Sequence, residues 1–427
     1  MATTNEPRRI LARIVNKNGA RGALTLSSDD GDQRTADFFY SVMAPSYPAF
    51  RMAIAMPTKK IASLSLTPDG SAWQKDENGK YRLTVLENCY CSEIEGSVFA
   101  RAERHPSTVD FWKQIVTCDA IELFSHSHTH AAWGLTDEQN PPYPKGNVIK
   151  ELHASAQILR DLIGEPTPLI MRPGGHSDMT SDYFYELVGR DETYFCMRGG
   201  SGPAPLKTID RSLLFSKKLN TPTKFQTPLE RLRIATIDVR SYEAALSEDG
   251  SEYATKVGAS AEECISAGVS AWTNYVDLAM QNGCWASIGF HGVVPDTAEP
   301  QKGYSVFDSQ VKALFDYLQP LVEGGELWIP DSFTEAAKYY FEWSSASLDA
   351  KAYGEDRIEL SLTAGEDEHL GERLTVEVPL PDFWEAAELT SYGRCERLTP
   401  RLAADGSRFV YVSILPGKEI SVLRRIP

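Results

Sequence analysis

The feature that most constrains this chain is a series of short apolar runs, each of which stops at a polar cluster. The runs, written with the polar residues that end them, are 23–31, 115–130, 169–176 and 286–291. Amphipathic helical patterns lie between and after these runs, for example at 147–163, where Asn147 is placed to cap the helix and Gly164 to end it. Short apolar strands alternating with helices predict a parallel α/β sheet. In β/α barrels the carboxyl ends of such strands carry the chemistry, so the polar clusters are candidates for one site.

The remaining patterns divide the chain into two predicted domains. Residues 1–345 hold the α/β pattern, with a β insertion at about 66–110 in which Asn78-Gly79 predicts a hairpin. Residues 346–427 alternate apolar and polar side chains with no helical period, which predicts a small antiparallel β-sandwich. We therefore expect a distorted β/α barrel followed by a C-terminal sandwich.

Composition excludes several classes of protein. The 427 residues carry 59 acidic and 43 basic side chains, a net charge of −16, which argues against nucleic acid as a partner. No apolar run is long enough to span a membrane. The first residues also lack the apolar segment of a signal peptide, which leaves the compartment open between the cytoplasm and a trimmed secreted form. The oligomeric state is open as well.

Two adjacent carboxylates, Asp29 and Asp30, end the first strand. By themselves they are typical of a solvated turn before Gly31. If both faced one site, their repulsion would call for a cation.

Three of the eight histidines, His126, His128 and His130, alternate within five residues. In an extended segment alternate side chains share a side, and on a helix His126 and His130 share a face. Either geometry offers two imidazoles to a divalent ion, and imidazoles with a carboxylate suit Zn²⁺.

Taken in order, these motifs resemble the polysaccharide deacetylase family, the NodB-homology or family-four carbohydrate esterases. The resemblance rests on Asp-Asp-Gly at 29–31, the histidine cluster at 126–130, Arg-Pro-Gly-Gly at 172–175 and the strand-end histidine at 291. It covers residues 20–342 and leaves the sandwich unexplained.

The resemblance implies a metal-dependent hydrolase that removes acyl groups from a glycan. Asp30, His126 and His130 would bind one divalent metal, Zn²⁺ first, with Co²⁺, Ni²⁺ or Mn²⁺ as alternatives. Asp29 would be the general base, Arg172 would tether Asp29, and His291 would be the general acid. Further residues are candidates for substrate binding: Trp133, Gly174, Gly175, His176 and Phe290.

Some positions depart from the family pattern. Ser28 stands where the family has a Phe before the Asp pair. Gly289 stands where a Leu lines the acetyl pocket, so we expect a widened or reshaped pocket.

Three other functions compete with this one. A carbohydrate-binding protein with a vestigial site is disfavoured because the motif residues are intact. Amidohydrolase and phosphoesterase barrels place their His-x-His pair after the first strand, where this chain has its aspartates. A cyclic-amide hydrolase of the same family would be expected to carry Glu at position 29.

Overall fold

The computed structural model describes residues 6–29, 31, 33–58, 61–62, 73–75, 81–83, 107–127, 145–164, 170–171, 193–198, 219–226, 228–231, 233–238, 261–296, 305–365 and 370–426. None of the helices in these ranges has the length and apolar content that crossing a membrane requires.

Among the described residues, helices are interspersed with strands up to residue 345, and after it the regular elements are all strands. The strands are β1 Arg8–Arg9, β2 Arg13–Val15, β3 Gly22–Ser28, β4 Met52–Met56, β5 Ile61–Ala62, β6 Trp73–Lys75, β7 Tyr81–Leu83, β8 Ser107–Thr108, β9 Ile121–Ser125, β10 Ile170–Met171, β11 Cys196–Met197, β12 Ile237–Asp238, β13 Trp285–Phe290, β14 Gly292–Val294, β15 Ser305–Phe307, β16 Leu327–Trp328, β17 Ser347–Tyr353, β18 Arg357–Thr363, β19 Leu374–Leu380, β20 Ala387–Ser391, β21 Arg394–Leu398, β22 Arg401–Leu402, β23 Arg408–Ile414 and β24 Ile420–Arg425. The α-helices are α1 Gln33–Phe38, α2 Ala44–Ser46, α3 Val109–Ile115, α4 Lys145–Ile163, α5 Pro228–Arg231, α6 Ala261–Asn282, α7 Asp308–Glu323 and α8 Phe333–Ser345.

A curled parallel sheet forms the first unit. Its strand order is β11-β10-β9-β4-β3-β13-β12, and β16 also pairs with β3. A single parallel bridge between Arg198 and Ile234 joins the segments at the two edges of this sheet. The fold is therefore mixed α/β with a partial barrel, which confirms the expected class at this level. The two strands of the expected hairpin pair, since β6 is antiparallel to β7, and the predicted turn at Asn78-Gly79 lies outside the described residues.

The two faces of the curled sheet carry different side chains. Leu24, Leu26 and Ile288 face outward and join the core formed with the surrounding helices. Ala23, Ala53, Ala55 and other residues face inward and share a second core with α8 and the sandwich. Small inward side chains leave room inside the curl for large ones, and close packing requires that this room be filled.

The sandwich consists of two antiparallel sheets. One has the order β1-β17-β18-β24-β20-β21, and the other β2-β19-β23-β22. Strands β1 and β2 thus add to the sandwich, whereas the sequence analysis assigned everything before residue 346 to the barrel unit. They are two and three residues long, too short to show an alternating pattern, and their partners lie more than 300 positions away in sequence.

Helix α8 connects the two units, and both Ser332 and Glu122 accept hydrogen bonds from the amides of its first turn. Ser332 accepts a hydrogen bond from the Glu335 amide at 2.9 Å. Glu122, on the inward face of β9, accepts hydrogen bonds from the Phe333 amide at 2.6 Å and from the Thr334 amide and hydroxyl. Desolvation raises the pKa of the Glu122 carboxyl above its ordinary value, and it outweighs these bonds, which act in the opposite direction.

This pKa direction predicts a pH-dependent stability. Because the folded pKa of Glu122 lies above the unfolded one, the native protein binds protons more tightly than the unfolded chain in the pH window that opens near the ordinary pKa of 4.5. The contribution of Glu122 to the free energy of unfolding therefore falls as pH rises through that window. In urea denaturation between about pH 4 and pH 7, the free energy of unfolding of wild type should fall relative to that of Glu122→Gln as pH rises. The exposed Glu385→Gln variant is the control, and parallel curves for wild type and Glu122→Gln would contradict the prediction.

Candidate active site at the carboxyl edge of the curled sheet

Four of the predicted site residues lie within the described residues, at the carboxyl ends of β3, β9 and β13. They are Asp29, His126, Phe290 and His291. The other predicted site residues lie outside the described residues, and their roles stay predictions: Asp30, His130, Trp133, Arg172, Gly174, Gly175 and His176.

Asp29 and His291 follow neighbouring strand ends. The last paired positions of β3 and β13 are Ser28 and Phe290, so Asp29 and His291 are each one residue beyond. The Asp29 amide donates to the Phe290 carbonyl at 2.8 Å, and the Ser28 hydroxyl donates to the His291 carbonyl at 2.6 Å. The fold therefore brings the predicted base and the predicted acid to adjacent positions at one edge, with Ser28 joining the two strand ends.

Asp29 is buried beside Arg198, a residue that is not among the predicted site residues. Its side chain is 4% exposed, and Oδ1 accepts a hydrogen bond from Nη2 of Arg198, whose side chain is 2% exposed. Nη1 of the same guanidinium donates to the Ser27 hydroxyl, and the guanidinium carbon lies 5.5 Å from the centre of the Phe124 ring. A buried carboxylate is costly without a counter-charge, and Arg198 supplies that charge.

A signal for Arg198 is present in the sequence. Met197-Arg198-Gly199-Gly200 follows an apolar run, as Met171-Arg172-Pro173-Gly174-Gly175 does. The two runs become β10 and β11, which pair in parallel with Met171 opposite Met197. The resemblance predicts that Arg172 holds Asp29, and Arg172 lies outside the described residues. Within them, Arg198 makes that ion pair.

Gly289 lies under the arginine side chain. A Cβ atom built on Gly289 would lie 3.1 Å from Cγ2 of Thr236 and 3.3 Å from Nη1 of Arg198. On this side the space beside the glycine is thus filled by protein atoms rather than widened, and a reshaped pocket stays a prediction.

Phe290 packs on the other face of β13. Its ring is 6.4 Å from that of Phe39 and 6.3 Å from that of Trp272, within the core between the sheet and the helices. These contacts are those of a core residue and give no support to the expected role in substrate binding. The alternation of side chains along a strand is the reason, because Gly289 and Phe290 face opposite sides.

His126 is 2% exposed, and its amide donates to the Met56 carbonyl at 2.9 Å. The next residue, Ser127, has a φ of 62°, in the left-handed region, so the chain there is neither extended nor right-handed helical. The Ser125 hydroxyl holds this turn, since it accepts from the Ser127 amide at 3.1 Å and from the Tyr194 hydroxyl at 3.1 Å. Strained backbone of this kind is found at functional sites more often than elsewhere.

The described residues contain no group of three His, Cys, Asp or Glu side chains placed to hold a metal ion. Two of the three predicted ligands, Asp30 and His130, lie outside the described residues. The donor chemistry of the predicted set, one carboxylate and two imidazoles, fits a zinc-like ion.

No protein-family model matches the chain, and no curated protein matches it. Among solved structures, a polysaccharide deacetylase from Bacillus cereus shares 12% identity over 73% of this chain and 94% of that one, with a TM-score of 0.33. A mutant of a CE4-family pseudoenzyme with restored enzymatic activity shares 11% over 78% and 72%, with a TM-score of 0.34. An endo-β-1,4-mannanase double mutant from Cellulomonas fimi shares 10% over 91% and 76%, with a TM-score of 0.31. At these identities and scores the likenesses decide neither a family nor an activity for this chain.

The bond between Ser28 and His291 predicts a measurable cost. Ser28→Ala removes the donor from a carbonyl at the end of β13, so we expect the free energy of unfolding to fall by about 1 kcal/mol. Urea denaturation measures this change. Ser41→Ala, which removes a surface hydroxyl bonded to Asp37, should cost under about 0.5 kcal/mol. Equal losses in the two variants would show that the Ser28 bond does not join the strand ends.

Proposed function

We propose that this protein is a metal-dependent hydrolase that removes an acyl group from a carbohydrate or a related substrate. The observation that carries the proposal is the pairing of a buried carboxylate, Asp29, with Arg198, one strand away from His291. A carboxylate and an imidazole at the same sheet edge supply a base and an acid, the two groups that hydrolysis of an amide or ester requires. The choice of a glycan substrate rests on the resemblance of the sequence motifs.

Asp29 acts as the general base. The adjacent guanidinium favours the charged form of a carboxylate, and a charged carboxylate can take a proton from water at neutral pH. The ion pair also fixes the rotation of the carboxylate, so the proton moves to an oxygen of defined position.

His291 acts as the general acid. It is partly exposed, in contrast to Asp29, so a substrate can reach it. The Ser28 hydroxyl holds the His291 backbone against β3. In its protonated form the imidazole donates a proton to the departing amine or alkoxide.

Asp30, His126 and His130 are the proposed metal ligands. A bound Zn²⁺ would lower the pKa of a water molecule to about 7 and polarise the acyl carbonyl. His126 directly follows β9, two strands from β3 across β4, and its segment is held by bonds to Ser125 and Met56. Trp133, Gly174, Gly175 and His176 remain the proposed substrate contacts.

The test is acyl release by the purified full-length chain loaded with Zn²⁺. Acetate release is measured on acetylated chitooligosaccharides, acetylated xylan and a small acetyl ester. Asp29→Asn and His291→Ala should each lower kcat by about 10²–10⁴-fold, the usual contribution of a general base or acid. Chelation should abolish the activity, and added Zn²⁺ should restore it.

Metal content separates the roles of the residues. His126→Ala should lower the bound metal per chain, measured by elemental analysis, whereas Asp29→Asn should retain it. His153→Ala, at an exposed position on α4, is the control and should change neither metal nor rate. Metal binding without release from any acylated glycan or ester would overturn the proposal in favour of a binding protein. Release from cyclic amides alone would favour a C–N hydrolase.

A further inference from the structure

We propose that Arg198 is the positioning residue of Asp29, and that residue 289 has to be glycine for Arg198 to reach it. The catalytic part of this inference rests on the proposed function. The structural part, that the two positions are coupled through the guanidinium, does not depend on it.

The path of the Arg198 side chain explains why residue 289 is a glycine. Arg198 follows β11 at one edge of the curled sheet and bridges to Ile234, just before β12 at the other edge. Its partner Asp29 follows β3, and β13 lies between β12 and β3. The side chain therefore has to pass over β13 to reach the carboxylate.

Gly289 is the point on β13 where this crossing occurs. Its register partner on β3 is Ser27, whose hydroxyl accepts from Nη1 of Arg198. A Cβ atom at 289 would lie 3.3 Å from Nη1, closer than most Cβ contacts, and the guanidinium is hydrogen-bonded to both Ser27 and Asp29. An alanine would therefore push Nη1 away, and the bond from Nη2 to Asp29 would move with it because the guanidinium is rigid.

Buried ion pairs set the size of the effect. Both side chains are almost fully withdrawn from water, so removal of one partner leaves an uncompensated charge in the interior. Loss of one partner from such a pair raises the unfolding equilibrium constant by about 10²–10³-fold or more. A displacement of about 1 Å at a catalytic group can lower the rate by about 10²-fold. An alanine at 289 requires a smaller shift of Nη1, so its effect on the rate should be smaller than that of losing the guanidinium.

The experiment compares Gly289→Ala with Arg198→Met, Arg198→Lys and the double variant Gly289→Ala/Arg198→Met. We expect Arg198→Met to lower kcat by about 10²-fold and Gly289→Ala by about tenfold, each with KM within about threefold. Arg198→Lys, which keeps the charge, should recover part of the loss. The double variant should be no slower than Arg198→Met, because the alanine then has no guanidinium to displace.

Two controls isolate the arginine. Gly22→Ala crowds Met280 at 3.1 Å at the opposite end of β3, so it should reduce stability and leave kcat unchanged. Thr236→Ser removes the methyl group that would also contact the new Cβ atom and keeps the hydroxyl that bonds Ser287 at 2.9 Å. If Gly289→Ala acts through Arg198, its effect on kcat should persist in the Thr236→Ser background.

An unfolding cycle supplies a readout that needs no activity. Gly289→Ala should raise the unfolding equilibrium constant strongly in wild type and much less in Arg198→Met, as measured by urea denaturation. Additive effects would overturn the inference, and so would equal losses of kcat in Gly289→Ala and Gly22→Ala. An inactive wild type would refute the proposed function, and the coupling of Gly289 to Arg198 would then be decided by the unfolding cycle.

Discussion

Helix α8 packs against two surfaces at once, the inward face of the curled sheet and the sandwich, and the arrangement of both units depends on this packing. Phe333 and Tyr340 pack against Trp285 on the inward face of the curled sheet, with ring centres 5.2 and 5.4 Å apart. Tyr339 binds the sandwich, where its hydroxyl donates to the Val15 carbonyl at 2.6 Å. One continuous core results, so the partial barrel and the sandwich are stabilised by the same helix.

The same inward face determines where charge can be buried. The inward face is lined by small residues, Ala, Ser, Thr and Gly, which leave volume inside the curled sheet. Helix α8 and Trp285 fill one part of this volume, and Arg198 fills the part near the carboxyl ends of the strands. A guanidinium in such a place needs acceptors, and Asp29 and Ser27 provide them. The catalytic machinery that we propose is thus an outcome of how the small side chains of β3 and β13 are packed, as well as of the motif residues themselves.

The sequence was sufficient to predict elements that have a local signal, either a continuous apolar run or a glycine that ends a helix. Strands β4 and β13 follow their apolar runs, and Gly164, with a φ of 82°, ends α4 as its position predicts. Helix α4 begins at Lys145 rather than at Asn147. Arg198 was missed because its partner Asp29 is 169 positions away in sequence, and the pattern it shares with Arg172 does not show which of the two arginines reaches the carboxylate. The expected role of Phe290 in substrate binding requires that its side chain be on the inward face of β13. A continuous apolar run does not reveal which face a residue occupies.

The pairing of β1 with β17 and of β2 with β19 has a consequence for how the chain is made. Arg13 leaves the ribosome long before Glu377, the residue with which it forms an ion pair. The sandwich therefore cannot form until the whole barrel region and the strands after it have been synthesised, and until then β1 and β2 have no native partner strand. Contacts of such high sequence separation form slowly, and unpaired strand edges are prone to aggregate. Expression of this protein should thus respond to the rate of translation and to chaperones more than its local sequence patterns would suggest.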